Sequence, residues 1–215
     1  MRKFLFLFLT LTVSIMIGCE AESVNPLDQE IAAFKNQTAI QFQGKVLEHD
    51  ISWVFDNWQN GIGALGEHFW CVTDDTSIQQ RNFAIYDIEK RTHVTFLKIV
   101  SPALDIKDSY VIKKVIFEVG EKPFRLTDDS IYDGFIIEGV TKDEHFSTYY
   151  GPQDKSSIEI VKMEELLPDD PEQPGHKKIR VWTVVTCDLY DCRGQKMGTI
   201  DRGRFISEIQ IERNK

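Results

Sequence analysis

Apolar side chains alternate with polar ones along most of the chain after residue 37. In the segment from residue 179 to 189, Ile179, Val181, Val185, Cys187 and Leu189 occupy all but one of the alternate positions. A period of two places successive side chains on opposite faces of a β-strand, whereas an α-helix requires a period of 3.6. The alternation therefore predicts strands that bury one face and expose the other to water.

About ten strands are expected from this alternation and from runs of β-branched and aromatic residues. The sequence between them favours tight turns, as at Asn60-Gly61, Asp133-Gly134, Asp191–Gly194 and Asp201–Gly203. No long helical period and no alternation of strands with helices is visible, which favours antiparallel pairing. We therefore expect an all-β, antiparallel β-sandwich, with a partly closed β-barrel as the alternative. The expected strands are Ile40–Val46, Ile51–Phe55, Phe69–Val72, Phe83–Ile88, Val94–Val100, Tyr110–Val119, Phe135–Val140, Ile158–Met163, Ile179–Tyr190 and Arg204–Ile211.

The first residues of the chain have the features of a secretory signal peptide. Arg2 and Lys3 precede an uncharged and mostly apolar run, Phe4–Ile17, and Glu20 follows soon after it. The run is shorter than the roughly 20 apolar residues that a transmembrane helix needs. Export is therefore expected, with residues 1–18 as the signal peptide.

The end of this leader resembles a bacterial lipobox. It reads Met16-Ile17-Gly18-Cys19, with a small residue directly before the cysteine. Cys19 is then the first mature residue, and acyl chains such as palmitate attach it to a membrane without spanning it. The alternative is an ordinary signal peptide with a chance cysteine. Residues 19–37 are acidic and read as a tether with a short helical turn, and residues 38–215 read as a single antiparallel β domain.

The charge of the chain limits its partners. The formal net charge is −9 at pH 7. Nucleic acids and anionic lipids are polyanions that favour clustered lysine and arginine, so neither is expected as a primary partner. We expect the chain to contact the membrane through the acyl chains of Cys19.

Fold-level sequence patterns are spread over most of the mature chain. They are Phe42–Lys45 followed by Trp53, Asp108–Val111, Thr148–Tyr150 leading into Ser157–Lys162, Val181–Leu189 and Gly203–Ile206. Together they resemble a type of small Bacteroidetes lipoprotein of unknown function with an all-β domain. The resemblance implies an outer-membrane address and a β-sandwich-like or lipocalin-like fold, and it implies no reaction.

Three cysteines remain besides Cys19, and their pairing is open. Cys71 with Cys187, or Cys187 with Cys192, are the candidate disulfides, and unpaired buried thiols are the alternative. No cysteine or histidine spacing fits a zinc site, so neither a metal nor a cofactor is expected. Catalytic motifs for a serine or cysteine nucleophile are absent from the sequence. Acidic residues around the glycine-rich loop Asn57–Gly66 leave a hydrolase as an alternative.

Tryptophans are the stronger candidates for binding. Trp58 lies between Asn57 and Asn60 and has the strand parity opposite to the buried face, as Trp70 and Trp182 do in their strands. A flat ring beside planar amide groups is suited to holding a sugar. The alternative is that a second sheet covers these rings. Tyr149-Tyr150 also begins a polar loop.

The sequence therefore favours a non-catalytic binding or accessory module of the cell envelope. Its expected partner is a glycan, a peptide or another envelope protein. The alternatives are a hydrolase with a site near residues 57–66 and a purely structural envelope protein.

Overall fold

The computed structural model describes residues 25–55, 62–73, 76–87, 92–100, 117–124, 134–141, 144–166 and 176–212. The chain divides into two units, residues 1–36 and residues 37–215. The first contains helix α1 (Pro26–Lys35), which begins where Asn25 Oδ1 accepts a hydrogen bond of 3.1 Å from the amide of Leu27. The predicted signal peptide and Cys19 lie outside the described residues.

All the described strands belong to the second unit. They are β1 (Gln41–Val46), β2 (His49–Val54), β3 (Ile62–Thr73), β4 (Thr76–Asp87), β5 (Thr92–Val100), β6 (Gly120–Glu121), β7 (Gly134–Thr141), β8 (Glu144–Ser147), β9 (Ser157–Leu166), β10 (His176–Tyr190) and β11 (Lys196–Glu212). Nine of the ten predicted strands overlap one of these, while the predicted strand 110–119 falls largely outside the described residues. The short strands β6 and β8 lack a sequence run long enough to predict them.

Every ladder between these strands is antiparallel, so the predicted all-β antiparallel class is confirmed. The strand order is β2-β1-β11-β10-β8-β7-β5-β4-β3, with β9 also on β10 and β6 on β9. Among the described residues the path does not close into a barrel, although β3 comes close to β11 and β4 close to β2. This open path with its two ends brought together matches a β-sandwich.

The core lies on the inner face of the sheet, as the alternation predicts. The five apolar residues of β10 that share one sequence parity are each at most 1% exposed, from Ile179 to Leu189. β11 contributes Ile200 and Phe205, and the ring of Phe205 packs against Phe42 of β1 with centroids 4.4 Å apart. Burying apolar area of this kind provides most of the free energy of folding.

Two predicted turns are corrected. The glycine-rich loop predicted at Asn57–Gly66 is a strand from Ile62 onward, because Gly63 and Gly66 take part in the ladder with β4. Cross-strand pairing there overrides the low strand propensity of glycine. Asp201–Gly203, predicted as the turn before the last strand, lies inside β11, where Arg202 adopts a φ of 48°.

The strand β1 is also irregular where it pairs with this part of β11. The register between the two strands shifts between Gln43 and Lys45, on either side of Gly44. A Cβ on Gly44 would lie 2.7 Å from the Cα of Gly203. Only two glycines allow the backbones to approach this closely.

Replacing Gly44 by alanine is expected to lower the free energy of unfolding by about 1–3 kcal/mol, because the obstructing atom belongs to the backbone and cannot rotate away. Chemical denaturation monitored by circular dichroism measures the change. Ser52→Ala on the exposed side of the neighbouring strand is the control and should stay within about 0.5 kcal/mol of wild type. Equal stability of the Gly44→Ala variant would contradict the close approach.

Candidate functional site

The predicted tryptophan site is only partly within the described structure. Trp58, Asn57 and Asn60 lie outside the described residues. The backbone of Trp70 lies in β3 opposite Gln79, and its side chain is outside the described part of the chain. Of the predicted ligand-binding rings, the structure describes the surroundings of Trp182.

Trp182 faces away from the core residues Val181 and Val185, as its strand parity predicts, but its ring is covered, which is the alternative that the sequence leaves open. Its side chain is 0% exposed. The indole N–H donates a 2.9 Å hydrogen bond to the backbone carbonyl of Gln37, and the ammonium of Lys162 lies 4.1 Å from the ring centroid. A ring covered in this way has no surface for a ligand.

The structure corrects both predicted candidate disulfides. Cys187 and Cys192 are free thiols, so neither the pair Cys71–Cys187 nor the pair Cys187–Cys192 is formed. Cys187 is 1% exposed on the core face, and burial raises its thiol pKa well above the ordinary value. Cys192 is exposed in the turn between β10 and β11. The side chain of Cys71 is outside the described residues.

Two partly exposed tyrosines form an aromatic surface among the described residues. Tyr149 and Tyr150 follow β8 and open the segment from residue 148 to 156, which we call the tyrosine loop. Their ring centroids are 5.5 Å apart with an interplanar angle of 70°, the edge-to-face arrangement that aromatic pairs favour. The two rings therefore present one angular apolar surface beside polar backbone.

Gln153 holds the tyrosine loop on β10. Its Nε2 donates to the carbonyl of Asp188 at 2.9 Å and to the carbonyl of Thr148 at 3.2 Å, while its Oε1 accepts from the amide of Asp188 at 3.2 Å. Ser156 Oγ donates to the same Oε1 at 2.6 Å. One amide side chain thus joins both ends of the loop to the sheet, which keeps the loop in one conformation.

Tyr190 supports the loop from below. Its hydroxyl donates to the carbonyl of Pro152 at 2.8 Å, and its ring lies so close to Gly151 that no Cβ would fit there. Tyr190 is 5% exposed. The tyrosine ring at 190 therefore packs against the loop only because residue 151 is a glycine.

The turn between β10 and β11 borders the loop. Asp191 Oδ1 accepts the amides of Arg193 and Gln195, each at 2.9 Å, and Gly194 takes a φ of 78°. A Cβ on Gly194 would lie 3.3 Å from the carbonyl oxygen of Tyr150. The predicted turn at Asp191–Gly194 is confirmed, and it brings charged and polar groups beside the tyrosines.

Charges at the base of the loop shift two pKa values. Lys196 Nζ lies 2.8 Å from Asp188 Oδ1, and the hydrogen bond to this carboxylate raises the lysine pKa. Burial raises the pKa of Tyr190, and the negative charge of Asp188 raises it further. The phenol therefore keeps its proton, and its hydrogen bond to Pro152, at neutral pH.

Sequence reasoning missed the residues that build this site. The sequence indicates Tyr149-Tyr150 as the start of a polar loop, but Gln153, Asp188 and Tyr190 carry no motif. The signal available was Gly151-Pro152, a turn dipeptide directly after two aromatic residues. It marks a turn, but the partners of that turn are about 35 residues away in the sequence, as the Gln153–Asp188 separation of 35 shows.

The described residues include no group of three or more His, Cys, Asp or Glu side chains that could hold a metal ion. Within this part of the chain, no helix has the length and hydrophobicity needed to span a bilayer. No protein-family model, curated protein or solved structure matches the chain. The site is therefore interpreted from its own geometry.

Replacing Tyr190 by phenylalanine is expected to lower the free energy of unfolding at pH 8 by about 1 kcal/mol, the usual net value of one hydrogen bond. The same variant should be less sensitive to alkali. Because the folded-state pKa lies above the ordinary value of 10.0, this phenol stabilises the fold fully below about pH 10 and loses that contribution as the pH rises through the folded-state pKa.

Urea unfolding at pH 8 and at pH 10.5 measures both effects. The difference between the two pH values should be smaller in Tyr190→Phe than in wild type. An equal alkaline loss in both proteins would show that this phenol keeps its ordinary pKa.

Proposed function

We propose that this chain is a lipid-anchored protein of the bacterial cell envelope whose β domain binds a glycan without transforming it. The tyrosine loop is the binding surface. The domain then acts as a capture or accessory module at the outer membrane.

The observation that carries the proposal is the paired rings of Tyr149 and Tyr150, which are partly exposed and lie at an interplanar angle of 70°. Pyranose rings expose flat C–H faces that pack on aromatic rings, and their hydroxyls need hydrogen-bonding partners at the edge. Asp154 and Lys155 are exposed polar residues of the same loop that can supply such partners.

The mounting of the loop supports the same proposal. Gln153 and Tyr190 hold the loop through hydrogen bonds of 2.8 to 3.2 Å to backbone groups. A loop that is ordered before binding loses little conformational entropy when a ligand arrives. Weak contacts with a sugar are then enough for measurable affinity.

The proposed address is inferred from the leader sequence. A positively charged start, an apolar run and Gly18-Cys19 are what a lipoprotein leader requires. The outer membrane is inferred from the resemblance to Bacteroidetes lipoproteins. Acyl chains on Cys19 would hold the domain at the surface where envelope glycans occur.

Replacing Tyr149 or Tyr150 by alanine is expected to raise the Kd for a bound oligosaccharide by about threefold to tenfold, because an aromatic contact is worth about 0.5–1.5 kcal/mol. A panel of chito-, malto- and xylo-oligosaccharides, titrated by isothermal calorimetry, provides the probes. Mass analysis of the recovered sugar should find it unchanged.

Val54→Ala is the matched control, since it removes an exposed apolar side chain that is 39% accessible and lies on β2, three strands away from β10. Its Kd should equal that of wild type. Unchanged binding in the double variant Tyr149→Ala/Tyr150→Ala would refute the proposed site. Recovery of shortened sugars would refute its non-catalytic character.

Replacing Cys19 by alanine is expected to abolish incorporation of labelled palmitate and to release the protein from the membrane fraction, because the acyl chains supply the proposed attachment. Metabolic labelling followed by fractionation measures both. Cys192→Ala, which removes an exposed thiol elsewhere in the chain, should remain labelled and membrane-bound. Labelling that persists in Cys19→Ala would rule out this cysteine as the anchor.

A further inference from the structure

The outer face of the sheet carries one continuous row of paired residues across four strands. Gln41 of β1 pairs with Ile206 of β11, Ile206 pairs with Trp182 of β10, and Trp182 pairs with Lys162 of β9. Gln41, Ile206 and Trp182 are at most 4% exposed, and none of the three belongs to the inner core cluster. Their burial therefore needs cover on the outer side.

The chain before β1 reaches across this row. Gln41 lies two strands from Trp182, or about 9.6 Å at the usual spacing of about 4.8 Å between strands. The carbonyl of Gln37, four residues earlier, nevertheless accepts the Trp182 indole N–H at 2.9 Å. Ile40 still belongs to the edge with β2, because its carbonyl accepts the Phe55 amide at 2.9 Å, so residues 37–39 must cross the outer face of β11.

Side chains hold both ends of this crossing. Gln41 Nε2 donates a hydrogen bond to Gln37 Oε1. On the other side, the cation of Lys162 packs over the Trp182 ring, and Arg180 is held beside it by Glu208, with 2.6 Å between Nη2 and Oε1. The indole is thus oriented so that its N–H meets the carbonyl of Gln37.

We propose that Gln37 and Trp182 form a latch that fixes where the N-terminal segment joins the β domain. β1 is bonded to strands on both sides, by β2 and by β11. The crossing segment can therefore open locally, at a lower free energy than loss of β1 from the sheet. The consequence for anchoring rests on the proposed lipidation of Cys19: the tether ends at residue 37, and the latch sets its exit point on the domain.

Hydrogen exchange of the Trp182 indole proton tests the latch directly. The chain has 4 tryptophans, so Trp182→Phe assigns this signal in a ¹⁵N–¹H spectrum of the full chain in detergent micelles. The assigned proton should exchange slowly in wild type. Gln41→Met removes the side-chain bond to Gln37 while keeping the length of the side chain, and it should accelerate exchange about fivefold, as expected for loss of one hydrogen bond.

Gln43→Met is the matched control, because it makes the same change two residues along β1, where the cross-strand partners are Ser52 of β2 and Arg204 of β11. It should leave the exchange rate unchanged, and the buried Trp53 should report no change in either variant. Exchange of the Trp182 indole proton at the rate of a free indole would overturn the latch. An unchanged exchange rate in Gln41→Met, or an equal increase in both variants, would also overturn it. The measurement needs neither sugar nor lipidation, so failure of the proposed function leaves it standing.

Discussion

The antiparallel ladder between β10 and β11 is the interaction on which the rest of this domain depends. It extends from the pair His176–Glu212 to the pair Tyr190–Lys196. The opposite edge of β10 pairs with β9 and then with β8, and the opposite edge of β11 pairs with β1. Because β10 is bonded along both edges, its side chains are held in two strict rows. The inner row makes the core, and the outer row carries both aromatic residues that organise the surface.

These two outward aromatic residues, Trp182 and Tyr190, are covered by the same physical means. Each has an apolar ring that gains from burial and one polar hydrogen that needs an acceptor. In each case another segment of the chain covers the ring and supplies the acceptor. The carbonyl of Gln37 accepts the Trp182 indole N–H at 2.9 Å, and the carbonyl of Pro152 accepts the Tyr190 hydroxyl at 2.8 Å. Two segments without strand pairing at these points, one at Gln37 and one at Pro152, are thus held against the outer face of the sheet.

This explains why sequence reasoning succeeded for the sheet and failed for the surface. The alternation from Ile179 to Leu189 predicts the inner row because it depends only on local geometry. The same alternation places Trp182 on the outer face, which is correct, but its cover comes from Gln37, 145 residues earlier. The turn predicted at Asp201–Gly203 is wrong for a related reason, because these turn-forming residues form a bulge in β11 opposite Gly44. Each of these outcomes depends on a partner that is distant in sequence.

A ring that its own chain covers cannot also hold a ligand, and this separates the outer aromatic residues into two groups. Trp182 and Tyr190 are 0% and 5% exposed and serve the fold. Tyr149 and Tyr150 belong to the segment that Tyr190 supports, and they keep part of their surface in contact with solvent. The hydrogen bonds that order the loop come mainly from Gln153 and Tyr190, so loop stability and ring surface reside in different residues. Affinity for a sugar and stability of the fold should accordingly respond to different substitutions.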